Sequence, residues 1–253
     1  MNDSARVRAP WRIDRTLYPV LGLLAVLFVI FEYTGLDLWV QDHFYDFAAG
    51  QWLVDGRAPG PRLWFYTGPK VLIILLGLSI LGLALLPAAR RARLPFGGLN
   101  RRHLWIAFLA IGTVPFVIGQ LKMTTNIFCP SEIRRYGGDV PYVRVVECYP
   151  PGDKPARRGE CFPAGHASGG FALLALMGLA RTRRGQRIAL GIAMTAGWAM
   201  GIYQMLKGSH YLSHTVFTMC LAWIGFLLWR RAFGVHRADP PTGADAVNAG
   251  QSG

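Results

Sequence analysis

The stretch "ECFPAGHASGGFALLALMGLA", residues 160–180, decides how this chain folds. His166 stands in a turn of Pro, Ala and Gly, and an apolar run begins directly behind it. Five further apolar blocks flank that run, so that the set is 17–36, 70–89, 103–121, 165–180, 188–206 and 212–229. Crossing a bilayer as a helix takes about 20 apolar residues. The blocks therefore predict an all-α polytopic membrane protein with six transmembrane helices.

Composition agrees. Of 253 residues, 52% are hydrophobic and only 16% charged, against about 25% charged in soluble domains. The mean hydropathy is +0.29. The first block has no small-residue cleavage site and runs longer than a signal-peptide core, so it reads as a retained helix. Residues 1–235 form one membrane domain without internal repeats, and 236–253, small, polar and rich in Pro and Gly, read as a disordered cytoplasmic tail.

Net charge is +13, and its placement carries the information. Arginines cluster before the first block (Arg6, Arg8, Arg12, Arg15), between the second and third (Arg90, Arg91, Arg93, Arg101, Arg102), between the fourth and fifth (Arg181, Arg183, Arg184, Arg187) and after the sixth (Arg230, Arg231, Arg237). With six crossings all four clusters fall on one side, which the positive-inside rule assigns to the cytoplasm together with both termini. The basic runs are thus topology signals, and no nucleic-acid partner is expected.

The opposite side, the periplasm of a bacterial inner membrane, receives about 37–69, 122–164 and the turn near 207–211. The first of these loops is aromatic and reads as an interfacial cap; its Asp42 and His43 are given no catalytic role. The second is polar and carries Lys122, Arg134, Arg135, Arg144, Lys154, Arg157 and Arg158 against the positive-inside bias, which points to an anionic ligand; Arg157 and Arg158 read instead as solvated, paired surface charge. Cys129, Cys148 and Cys161 lie on this side and Cys220 within the sixth block, so one outer disulfide is possible and the sequence leaves its pairing open.

Helix parity then gathers the chemistry. The fourth block runs inward from His166 and the fifth returns outward, which puts His210 on the same face; His214 follows one helical turn later, and Lys122 ends the third block there. Two imidazoles and a cation suit phosphate ester cleavage. One neutral ring attacks phosphorus, a protonated ring protects the departing alkoxide, and N–H groups at a helix start, Gly165 among them, hold an anion. Rival readings are polar helix ends in the headgroup layer and a histidine metal site built on the i, i+4 pair, with Cys161 or His166 as third ligand.

The ordered set resembles the type 2 phosphatidic acid phosphatase (PAP2) superfamily, whose motifs read K-x6-R-P, P-S-G-H and S-R-x5-H-x3-D. Here they appear as "KMTTNIFCP" (Lys122–Pro130), "PAGH" (Pro163–His166) and "YQMLKGSHYLSH" (Tyr203–His214). The resemblance implies a PAP2-like helical bundle and a metal-independent phosphatase or phosphotransferase acting on a phosphorylated lipid through a phosphohistidine, without a cofactor. It makes His210 the nucleophile and His166 the acid, and sets His214 in the place of the orienting Asp. It gives phosphate binding to Lys122 and Gly165. Cys129, Ala164, Gln204 and His214 depart from the motifs. Two arginines are thereby lost, and Gln204 stands where one of them would be. Lys207, one turn from Gln204, and Arg134, Arg135 or Arg144 are the candidates to restore charge. Convergence of the first two motifs in that family implies a Cys129–Cys161 disulfide. The departures also leave room for a weakly catalytic relative that binds or moves a lipid.

Overall fold

The computed structural model describes residues 16–94 and 98–235. The expected tail, 236–253, and the first arginine cluster lie outside them. The chain is mostly helical: α1 (Leu17–Tyr33), α2 (Leu36–Asp42), α3 (Pro59–Arg62), α4 (Gly68–Leu85), α5 (Ala88–Arg91), α6 (Arg101–Thr125), α7 (Gly165–Ala172), α8 (Arg183–Leu206) and α9 (Leu212–Ala232). A two-residue ribbon, Tyr45–Asp46 against Gln51–Trp52, and an isolated bridge between Ile133 and Val140 are the β structure among the described residues.

The expectation of six crossings is met in part. Among the described residues, four helices are long and apolar enough to span a membrane, and a fifth span requires counting α1 and α2 together across a 72° bend. The bend follows from Thr34 and Gly35: the Thr34 hydroxyl and amide both bond Ile30 O, which ends α1. The fourth block breaks differently. After eight residues α7 passes into a 3-10 stretch, Leu173–Gly178. Its Gly170 lies so close to Gly197 of α8 that a Cβ there would meet the Gly197 backbone nitrogen at 2.5 Å. Backbone-to-backbone packing of this kind is the membrane solution for small residues, and it sets the course of α7 where its own apolarity does not.

Small residues continue through the centre. Ala107, Ala110, Ala167, Ala172, Ala175 and Ala193 are buried between α6, α7 and α8, with Leu104, Phe171 and Leu174 filling the gaps. The outward faces of α1 and α4 stay apolar instead: Val26, Leu72 and Leu78 are each more than half exposed. An apolar face of that extent is the mark of a lipid-facing surface. α6 and α4 lie against each other, as do α1 and α9. Asn100 caps α6 by accepting from Arg102 N, while at that end Arg101 donates to Ala84 O in the last turn of α4 and Arg181 to Gly98 O in the connection before α6. Lys122 lies at the other end, and so do His166, His210 and His214.

That second end is tied down by long-range polar contacts. Asp37 of α2 is buried and receives both the amide and the hydroxyl of Ser213, so a residue from the first loop caps α9 in place of a local N-cap. Leu206 O, Met205 O and Gly208 O, at the end of α8, accept from Val54 N, Gln41 Nε2 and Ser131 N. Gly208 adopts φ +72° with Trp52 packed on it, a place no side chain could share.

Candidate active site

Two strands of irregular chain run side by side at this end. Asn126 closes α6 in the left-handed conformation, φ 55°; its side-chain oxygen accepts from Gly159 N, and Ile127 O accepts from Cys161 N. The Thr125 hydroxyl bonds Phe162 O at 2.6 Å. These contacts bring Cys129 beside Cys161, and the two are joined as a disulfide. Cys148 remains a free thiol in the exposed loop and Cys220 a buried one in α9.

The same contacts deliver α7 to the site. Ala164 N bonds His214 O, and Ala164 O accepts from the Thr218 hydroxyl, so the turn before α7 is fastened to α9 at two points. Gly165 and His166 then open α7, where backbone N–H groups lack intrahelical partners and a helix start favours negative charge. The Ser168 hydroxyl turns back to Gly165 O, leaving the amides ahead of it for a ligand.

The histidines meet here. The ring centres of His166 and His210 are 5.9 Å apart, and those of His210 and His214 are 5.7 Å apart. His210 and His214 are buried, and their Nδ1 atoms approach to 3.4 Å, so that one holds the proton and the other accepts it. His210 Nδ1 also lies 3.5 Å from Cys161 Sγ. Both neighbours occupy the Nδ1 side, which leaves Nε2 as the ring nitrogen available to an incoming group. His210 is held below the ordinary histidine range, chiefly by burial, then by the charges of His214, His166 and Lys122. It therefore sits neutral at pH 7, as a nucleophile must.

Positive charge surrounds the rings. Lys122 is half-buried in the last turns of α6, near enough for its charge to act on all three histidines. Lys207 places its Nζ 5.9 Å from the Tyr66 ring and 5.3 Å from the Tyr203 ring, and Tyr66 in turn lies 4.6 Å from His166 by ring centres. Burial pulls the Lys207 ammonium below its usual range. Gln204 is wholly buried with both amide atoms unpartnered. Arg134 and Arg135 are committed elsewhere, each to a bidentate carboxylate pair: Arg134 with Asp153, and Arg135 with Asp42, which also accepts from the Tyr136 hydroxyl.

A groove of about 570 Å³ between α4, α6 and α7 ends on Gly165 and His166. Ile74, Leu78, Gly112 and Pro115 line it, and Lys70 stands at the histidine end. Nothing in the motifs marks Lys70 or Tyr66. The available signal was that Lys70 is the one basic residue beginning the second apolar block, on the face that carries Lys122. No local pattern marks Asp37, whose partner is 176 residues away.

A family model described as the PAP2 superfamily matches residues 103–237. A lipid A 4'-phosphatase from Francisella tularensis subsp. novicida (strain U112) is 27% identical over 213 residues, spanning 78% of this chain and 87% of that protein. No solved structure matches the chain.

Proposed function

The chain belongs to the PAP2 superfamily, and on that premise we propose that it is a metal-independent membrane phosphatase, or phosphotransferase, acting on a phosphorylated lipid through a phosphohistidine. The observation that carries the reading is the pair His166–His210, with ring centres 5.9 Å apart beside a helix start and Lys122. That spacing leaves room for one phosphorus atom between an attacking and a protonating nitrogen.

In this scheme His210 Nε2 attacks the phosphorus in line, and the bond to the lipid oxygen breaks. His166, which takes up a proton as the negative charge of the phosphate arrives, gives that proton to the leaving oxygen. His214 accepts a hydrogen bond from His210 Nδ1 and holds the tautomer. Lys122, the amide of Gly165 and the N-terminus of α7 take the equatorial oxygens, where preorganised donors stabilise developing charge most. Lys207 and the unpartnered Gln204 amide supply the remaining contacts. Water, deprotonated by the now neutral His166, then attacks the phosphohistidine and frees His210; a lipid hydroxyl in place of water makes the same step a transfer.

Substrate class follows from the groove at His166, whose apolar walls fit acyl chains. The phosphate of lipid A is the first candidate, given what the Francisella relative is named for; phosphatidic acid, phosphatidylglycerophosphate and undecaprenyl pyrophosphate are the others. The arginine clusters favour a six-crossing inner-membrane topology with both termini cytoplasmic and the histidines periplasmic. A headgroup panel assayed for phosphate release, with and without chelator, tests the reading. Release is expected to survive chelator, His210→Ala to abolish it, and His166→Ala to slow it about 10²–10⁴-fold. Full turnover by His210→Ala would end the proposal.

A further inference from the structure

The Cys129–Cys161 disulfide is one bond away from a metal site. Cys129 Sγ, Cys161 Sγ and a ring nitrogen of His210 all lie within 4.8 Å of one another. Cys161 and His210 are buried and Cys129 half-buried, so the three atoms face one shared, largely dry space. Zinc bonds thiolate sulfur at about 2.3 Å and imidazole nitrogen at about 2.0–2.1 Å, and at a tetrahedral corner these lengths put S and N about 3.6 Å apart. Cys161 Sγ and His210 Nδ1 are already 3.5 Å apart. What separates the oxidised arrangement from a ligand set is the S–S bond itself.

We propose that, once the Cys129–Cys161 disulfide is reduced, Cys129, Cys161 and His210 bind Zn2+, and that the bound metal silences His210. Reduction by a phosphine takes two electrons and two protons to give two thiols, with water supplying the oxygen of the phosphine oxide. Zn2+ then displaces the two thiol protons and takes His210 Nδ1 as third ligand, leaving a fourth position for water. Soft thiolates and an imidazole form a set that zinc favours.

Inhibition follows from the tautomer. A neutral imidazole carries one N–H. With Nδ1 bound to metal, that proton must reside on Nε2, and the lone pair that would attack phosphorus is gone. In the oxidised chain Nδ1 is free to hold the proton toward His214, and Nε2 keeps its lone pair. The inhibitory half of the inference rests on the role proposed for His210; the binding half does not.

The experiment uses the full chain carrying Cys148→Ser, which removes the exposed thiol, purified oxidised or after phosphine reduction. Each form is exposed to micromolar Zn2+, desalted and assayed for metal and for phosphate release. The reduced form is expected to retain one equivalent of zinc and the oxidised form none above background. Release by the reduced form should fall at least tenfold with zinc and return with chelator. In the same background His210→Ala should weaken zinc binding at least ~10-fold, as losses at a metal site do. Co2+ in the reduced unsubstituted His210 protein should give thiolate charge-transfer bands, a readout that needs no variant to fold. Equal metal content in the two redox forms, or undiminished affinity in folded His210→Ala, overturns the inference. Zinc uptake by a reduced chain whose oxidised form cleaves no lipid would instead keep the metal site and remove the phosphatase reading.

Discussion

Replacing Gly170 by Ala puts one carbon where two helices already touch. A Cβ at that position lies 2.5 Å from Gly197 N and 2.6 Å from Gly197 Cα, whereas an ordinary contact begins at 3.4 Å. Neither neighbour is a side chain that can swing aside, so α7 and α8 must part by about 1 Å in an interior packed like a crystal. Overpacking of this kind costs about 1–3 kcal/mol, which lowers the melting temperature of a chain this size by about 2–10 °C. The larger effect is on turnover. His166 lies one turn ahead of Gly170 on α7, and a displacement of about 1 Å at a reacting group costs about 10²-fold. Thermal unfolding in detergent and phosphate release from mixed micelles read the two effects on one preparation. Gly191→Ala is the matched control, since it sits on α8 with nothing within 4 Å of an added Cβ; its stability is expected to stay within about 0.5 kcal/mol of the parent. Parental melting and turnover in Gly170→Ala would mean that α7 and α8 do not meet backbone to backbone, and the placement of His166 would fall with that contact.

Because burial and the charges of His214, His166 and Lys122 hold His210 below the ordinary histidine value of 6.5, the ring stays neutral as pH falls through that value, and the acid limb of kcat/KM assigned to it should lie below pH 6.5. His214→Asp sets a carboxylate against His210, favours its protonated form and should move that limb upward; a limb that stays put or moves down contradicts the contact. Asp37→Asn removes the charge that receives Ser213 N and the Ser213 hydroxyl and is expected to cost about 1–3 kcal/mol, measured by melting, with unchanged melting ruling out the cap on α9. Lys207→Ala should lower kcat/KM about 10–100-fold, the worth of a charge-assisted hydrogen bond. Arg135→Ala, whose guanidinium is spent on Asp42, should leave it within about threefold, and reversal of that order would return Arg135 to the phosphate.

Much of this arrangement was legible in the chain because it depends on order and parity. The apolar blocks, the arginine clusters and the alternation of direction bring Lys122, His166, His210 and His214 to one end before any coordinate is known. What stayed hidden depends on contacts between distant residues. The fourth block has the composition of a spanning helix, yet its packing on Gly197 gives eight α residues followed by a 3-10 stretch. The first block hides a bend set by Thr34 and Gly35. Arg134 and Arg135 look like free charge in sequence, and their carboxylates are 19 and 93 residues away. Lys70 reads as the edge of an apolar block until the groove places it beside His166.

The groove between α4 and α6 opens past Ile74 and Leu78, both at least half exposed on the lipid-facing side. A substrate using that opening diffuses sideways and never has to leave the sheet of lipid in which it is dissolved. Its effective dose is then its mole fraction among neighbouring lipids, not its amount per litre. Diluting the carrier micelles with inert detergent should slow the reaction, while adding buffer at fixed composition should not.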